Sequence, residues 1–73
     1  MDRKMNTDNY NKAIEQLAYY RRMLVLAKLG TPRRNAYVTK LDAGTSILAI
    51  ACDKSFEAVY CDVRKAYESK YCR

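Results

Sequence analysis

Residues 8–30 read DNYNKAIEQLAYYRRMLVLAKLG, and their spacing decides the fold. Ala13, Leu17, Tyr20, Leu24 and Ala27 recur at intervals of four, three, four and three, with Ile14 and Val25 beside them. That is the period of an amphipathic helix laid on a core. Thr7 or Asp8 can cap its start, and Asp8 and Glu15 lie toward the positive end of the helix dipole. Gly30 supplies a left-handed stop, Lys28 suits the last turn, and Pro32 cannot continue a helix. The spacing therefore predicts a helix over 8–29. The polar residues 1–6 before it are predicted to fray.

A second helix is predicted over 56–70, where Phe56, Val59, Tyr60, Val63, Ala66, Tyr67 and Tyr71 share one face. Ser55 stands at its N-cap, with Glu57 in its first turn. Between the two, Ile47-Leu48-Ala49-Ile50-Ala51-Cys52 is apolar on all sides and is predicted buried, as a short helix over 46–52 that Asp42, Thr45 or Ser46 could cap. Residues 30–45 mix turn formers with a β-leaning run, Tyr37-Val38-Thr39, and read as a long connector, with a short strand or a helical turn as alternatives. The expected architecture is all-α: one small domain over 7–73, with three helices and core residues Ile14, Leu17, Leu24, Leu48, Ala51, Val59 and Val63.

Size and composition narrow the function. Seventy-three residues allow one domain, and a chain this short buries only about 60% of its unfolded surface. Nearly half the residues are hydrophobic, with two Gly and one Pro, which is globular composition. No apolar run approaches the length of a membrane span, and MDRKMNTDNY lacks the apolar stretch of a secretion signal, so a soluble, intracellular chain is expected. Histidine is absent, which removes the commonest acid–base group and the commonest zinc ligand. The three cysteines, Cys52, Cys61 and Cys72, are odd in number and form no C-x-x-C pair. They are expected to be reduced thiols serving as small hydrophobes. No catalytic, cofactor-binding or metal-ligating residue is expected; the chain is read as a binding protein and not an enzyme.

The net charge of +6 is unevenly placed. Residues 21–41 hold Arg21, Arg22, Lys28, Arg33, Arg34 and Lys40 and no acid, whereas 42–63 are acidic and 64–73 basic. Such a basic segment suits nucleic acid or an acidic protein surface. Guanidinium groups pair bidentately with carboxylate and phosphate. Seven tyrosines accompany the charge. Tyr20, Tyr60 and Tyr67 fall on apolar faces, while Tyr19 lies beside Arg21 and Arg22, and Tyr37 lies between Arg34 and Lys40. Tyr with Arg is the composition of interface hot spots and of base-stacking platforms alike. The candidate partner-binding residues are Tyr19, Arg21, Arg22, Arg33, Arg34, Tyr37 and Lys40. The two arginine pairs flank the Gly30–Pro32 corner and can share one end of the molecule.

Three resemblances bear on the reading. Residues 47–60, ILAIACDKSFEAVY, resemble a helix-turn-helix, with Leu48 and Ala49 at packing positions, Ser55 opening the second helix and Val59 packing back. Asp53 and Lys54 stand where that turn usually has Gly and an apolar residue, and Glu57 and Asp62 would repel DNA phosphates. The stretch LDAGTSILAIACDKSFEAVY resembles the nucleophile helix of papain-like phage and bacterial peptidases, but Ala43 occupies the cysteine position and no His is available as base. Taken whole, the length, the opening MDRKMNTDNYNKAIEQLAYYRRMLVLAKLG and the basic character resemble the small bacteriophage regulators that bind host RNA polymerase. That resemblance implies a protein in the cytoplasm of the infected host; the oligomeric state is open, with a monomer favoured. It implies inhibition of initiation by hindering the σ factor, and antagonism of termination, with auxiliary nucleic-acid contact open.

Overall fold

Three helices, α1 (Thr7–Leu26), α2 (Pro32–Ala51) and α3 (Phe56–Tyr71), carry the chain up, down and up again in a computed structural model that describes residues 7–71. There is no strand among the described residues. The all-α class and the three helices are as the sequence implies. The segment 1–6 that was predicted to fray lies outside the described residues. No helix among them is long and apolar enough to cross a membrane.

The connector predicted over 30–45 is helical instead, and the short helix predicted over 46–52 is only its last part. Pro32 does end α1's neighbourhood, but it also opens α2, at a position where its missing N–H costs nothing and its fixed φ suits the helix. Thr31 is the N-cap: its hydroxyl accepts from Arg34 N–H at 3.3 Å and donates to Lys28 C=O at 2.7 Å. Gly30 takes the left-handed conformation the sequence assigns it, at φ +78°, and α1 has already ended at Leu26. The β preference of Val38 and Thr39 is a matter of tenths of a kcal/mol per residue, too small to overrule a well-capped helix with a buried face.

The sequence of α2 shows little helical hydrophobic periodicity because two of its inward positions, Gly44 and Thr45, are not hydrophobic. Thr45 is fully buried and satisfies its hydroxyl by donating to Leu41 C=O at 2.7 Å. At Gly44 the absent Cβ matters, since one built there would lie 2.6 Å from Leu17 Cδ2. Gly44 thus lets α2 approach α1 closely. The same register turns Leu48 and Ala49 inward and leaves Ile47 67% and Ile50 82% exposed. The expectation that 47–52 is buried on all sides is corrected accordingly, and Ala51, a predicted core residue, is exposed.

The core is a single cluster of Ile14, Leu17, Leu41, Leu48, Ala49, Val59 and Val63, with Leu24 packed at its margin. Burying each of its larger aliphatic side chains contributes about 1.5–3 kcal/mol. α1 packs against both other helices more extensively than they pack against each other. The turn from α2 to α3 is a Schellman motif. Lys54 N–H donates to Ala49 C=O at 2.9 Å, Asp53 N–H to Ile50 C=O at 3.3 Å, and Asp53 holds the left-handed position at φ 53°. Ser55 then caps α3 as predicted, accepting from Ala58 N–H at 3.1 Å.

Candidate functional site

The antiparallel pairing of α1 and α2 and the parallel run of α1 and α3 divide the candidate residues into three groups. The first is an aromatic row across α1 and α2. Tyr19 and Tyr20 have ring centroids 6.3 Å apart, and Tyr20 and Tyr37 are 6.2 Å apart. The Lys40 ammonium lies 5.3 Å from the Tyr37 ring centre and 5.9 Å from that of Tyr20. Cations attracted to ring faces at such distances hold their side chains against the surface. Tyr19, Tyr37 and Lys40 are thus brought together, with Tyr20 as the link.

The second group faces α3. Arg21 donates from Nη1 to the Tyr60 hydroxyl at 2.8 Å, and its guanidinium lies against the rings of Tyr67, at 5.3 Å, and Tyr60, at 5.7 Å. Its Nε is buried with no hydrogen-bond partner on the protein. Arg22 lies 5.4 Å from the Tyr71 ring. Both arginines are therefore engaged with the aromatic face of α3. Of the three tyrosines assigned to apolar faces, Tyr67 is buried while Tyr20 and Tyr60 are half-buried.

The third group stands at the α1–α2 corner. Arg34 turns inward and donates from Nη1 to Leu24 C=O at 2.9 Å, a second bond to a carbonyl in the last turn of α1 that also accepts from Ala27 N–H at 3.3 Å. Arg33 faces solvent. The second arginine pair does sit beside the end of α1, but of the four arginines at this end Arg33 alone projects unengaged into solvent.

Arg33 lines a groove of about 430 Å³ with Met23, Leu26, Ala27, Lys28 and Thr31. Sequence reasoning missed the apolar part of this corner, where Val25 is 52%, Leu26 61% and Leu29 79% exposed. The signal was available: Tyr19, Met23 and Leu26 recur at intervals of four and three on the side of α1 opposite its buried stripe. A second, almost uncharged hollow between α1 and α2 is lined by Ala13, Gln16, Tyr20 and Gly44, with Ile47 at its edge.

At the opposite end of α1, Tyr10 donates to Asp62 Oδ2, and Lys54 lies 4.3 Å from the Tyr10 ring and 3.7 Å from Asp62. Burial and then the hydrogen bond to Asp62 push the Tyr10 phenol well above its ordinary value. This cluster pins α1 to α3. Cys52 and Cys61 are free thiols; Cys52 packs against the core, as a small hydrophobe would, whereas Cys61 is exposed. No group of three or more His, Cys, Asp or Glu side chains gathers into a metal-holding arrangement among the described residues.

Fold and surface together define a small three-helix domain with an apolar and basic corner. In comparisons with known proteins, no family model, no curated protein and no solved structure matches this chain.

Proposed function

We propose that this chain is a stoichiometric regulator encoded by a bacteriophage, which binds bacterial RNA polymerase in the infected cell. In this reading it inhibits initiation by hindering the σ factor and antagonises termination. The observation that carries the binding role is the exposed apolar corner of Val25, Leu26 and Leu29 set in a stretch, residues 16–41, that contains no acid. Large exposed aliphatics gathered beside cations are the composition of a protein-binding surface. The choice of polymerase as partner rests on the resemblance of the whole chain, and of its opening thirty residues, to the phage regulators. The test is affinity capture from a nuclease-treated bacterial lysate. Recovery of polymerase subunits in fixed proportion to the bait is the expected result, and recovery of a different host protein overturns the polymerase assignment.

A second reading has one specific observation in its favour. The left-handed Asp53, between the buried Ala49 and Val59, stands where a helix-turn-helix needs a left-handed residue, so α2 and α3 are joined as a DNA-binding unit joins its helices. Against it, Glu57 lies in the first turn of α3, the part of a reading helix that meets base edges and phosphates. Loss of every captured partner on nuclease treatment is the result that would favour this reading.

A further inference from the structure

We infer that the corner formed by the end of α1 and the start of α2 is the docking site for an acidic amphipathic helix of a protein partner. The inference rests on the reading of the chain as a protein-binding module and goes beyond it by assigning the surface and the chemistry of the segment it takes.

Four observations carry it. Leu26 and Leu29 expose more than half of their surface in a molecule whose other leucines pack inward or against the core. Tyr19, Met23 and Leu26 continue that apolar surface down the outer side of α1 at helical spacing, so the strip is linear, as a second helix requires. The strip ends in a groove and not in a dome: Ala27, with its small side chain, and Thr31 lie in its wall between Leu26 and Arg33, leaving room for an inserted side chain. Finally, the rim is of one sign. Lys28 and Arg33 both line the groove and are exposed, no acid among the described residues lines it, and no acid occurs in the sequence between Glu15 and Asp42.

Charge complementarity selects the occupant. Carboxylates flanking the apolar residues of a partner helix would meet Lys28 and Arg33, and Arg33 can hold a carboxylate with two parallel hydrogen bonds. A nucleic acid would find the cations but would bury no comparable apolar surface against Met23, Leu26 and Ala27. A membrane surface would favour a convex apolar face over a groove. Arg21 and Arg34 take no part, because both are half-buried and do not line the groove, each with an Nη1 donor directed to Tyr60 or Leu24.

The full chain can be titrated with three labelled synthetic peptides of equal length: an amphipathic helix with leucines at one face and glutamates flanking them, the same helix with lysines for glutamates, and a scrambled acidic sequence. The acidic amphipathic peptide is expected to bind, and its affinity to fall as salt rises from about 0.05 to 0.3 M. Leu26→Ser and the pair Lys28→Ala, Arg33→Ala should each weaken binding about tenfold, as truncations of interface anchors do. Ile50→Ser, on the far side of α2, should leave it unchanged. All four substitutions, carried by three variants, fall on exposed side chains, and an unaltered helical spectrum identifies the variants as folded. Equal binding of the acidic and basic peptides overturns the inference, as does insensitivity to Leu26→Ser. A Leu26-dependent preference for phosphatidylglycerol vesicles or for a single-stranded oligonucleotide over the acidic peptide also overturns it and reassigns the corner. Polymerase capture is scored separately with wild type and Leu26→Ser. Polymerase bound equally by both sinks the docking site alone, whereas peptide binding with no polymerase recovered sinks the polymerase assignment alone.

Discussion

Tyr10 and Asp53 show how single side chains set the terms of this fold. The Tyr10 hydroxyl donates to Asp62 from a position sheltered by the α1–α3 contact, and its phenol is raised in the folded state above the ordinary tyrosine value near 10. A raised phenol favours folding while the group is protonated in both states. The contribution is therefore complete below about pH 10 and is lost as pH rises from there toward the folded value. Comparing wild type with Tyr10→Phe by urea denaturation should show a wild-type advantage that is constant from pH 7 to 9 and shrinks above about pH 10. A gap independent of pH would remove the hydrogen bond from the account. Asp53 holds a left-handed φ that an L side chain adopts at some expense, although Asp tolerates it better than most. Asp53→Gly should raise stability by about 0.5–1 kcal/mol, the strain relieved exceeding the entropy glycine adds to the unfolded chain. Thermal unfolding would show it as a Tm increase of a few degrees, and an unchanged or lower Tm would argue that the Asp53 side chain supports the turn.

At the level of elements, neighbouring residues of one type do different work. Arg33 and Arg34 look equivalent in sequence, yet Arg34 ties the start of α2 to the Leu24 carbonyl in the last turn of α1 while Arg33 reaches into solvent. Arg34→Ala leaves that carbonyl only the longer bond from Ala27 N–H and should destabilise the domain by about 1 kcal/mol, whereas Arg33→Ala should change stability by less than about 0.5 kcal/mol. Denaturation midpoints of the two variants measure the contrast directly; equal midpoints would mean that α1 ends without help from α2. The same logic separates α2's apolar residues. Leu48 and Ile47 are adjacent in sequence, one buried and one two-thirds exposed, because a helix of fixed register has one inward side. A run of six apolar residues contains no period, and only the helix beginning fifteen residues earlier sets which of them face the core.

The whole molecule is long and thin, 45 × 26 × 17 Å, with a radius of gyration of 12.7 Å where a chain of this length usually has about 11 Å. Two helices of twenty residues, each about 30 Å long, run side by side, and the described residues share one core cluster of seven buried side chains. Leu17 stands at the centre, against Gly44. Leu17→Ala should cost about 2–5 kcal/mol, a large share of the roughly 4–11 kcal/mol available to a domain of this size. Loss of cooperative urea unfolding at 37 °C is the expected readout, and a loss below about 1 kcal/mol would mean that the neighbouring helices close over the gap.

What the residues determined unaided was whatever rests on local periodicity and caps. The stripe Ala13–Leu17–Tyr20–Leu24, the left-handed turn at Gly30, the cap at Ser55 and the face Val59–Val63–Tyr67 are each written within a few residues and need no partner to be read, whereas the end of α1 falls at Leu26 and not at residue 29 as the spacing predicts. The tertiary structure decided whatever depends on another helix. Residues 32–45 form a helix because a capped start and the close neighbour that Leu17 presents at Gly44 stabilise it, and its buried Thr45 and half-buried Gly44 hide the period. Likewise, charge along the chain marks 21–41 as basic, but which cations remain available depends on where α3 presents Tyr60, Tyr67 and Tyr71 and where α1 ends. Local patterns reflect interactions within one turn of chain, whereas availability is set by residues that are distant in sequence and adjacent in space, and that is why the corner at Leu26, Lys28 and Arg33 emerges only when the three helices are packed.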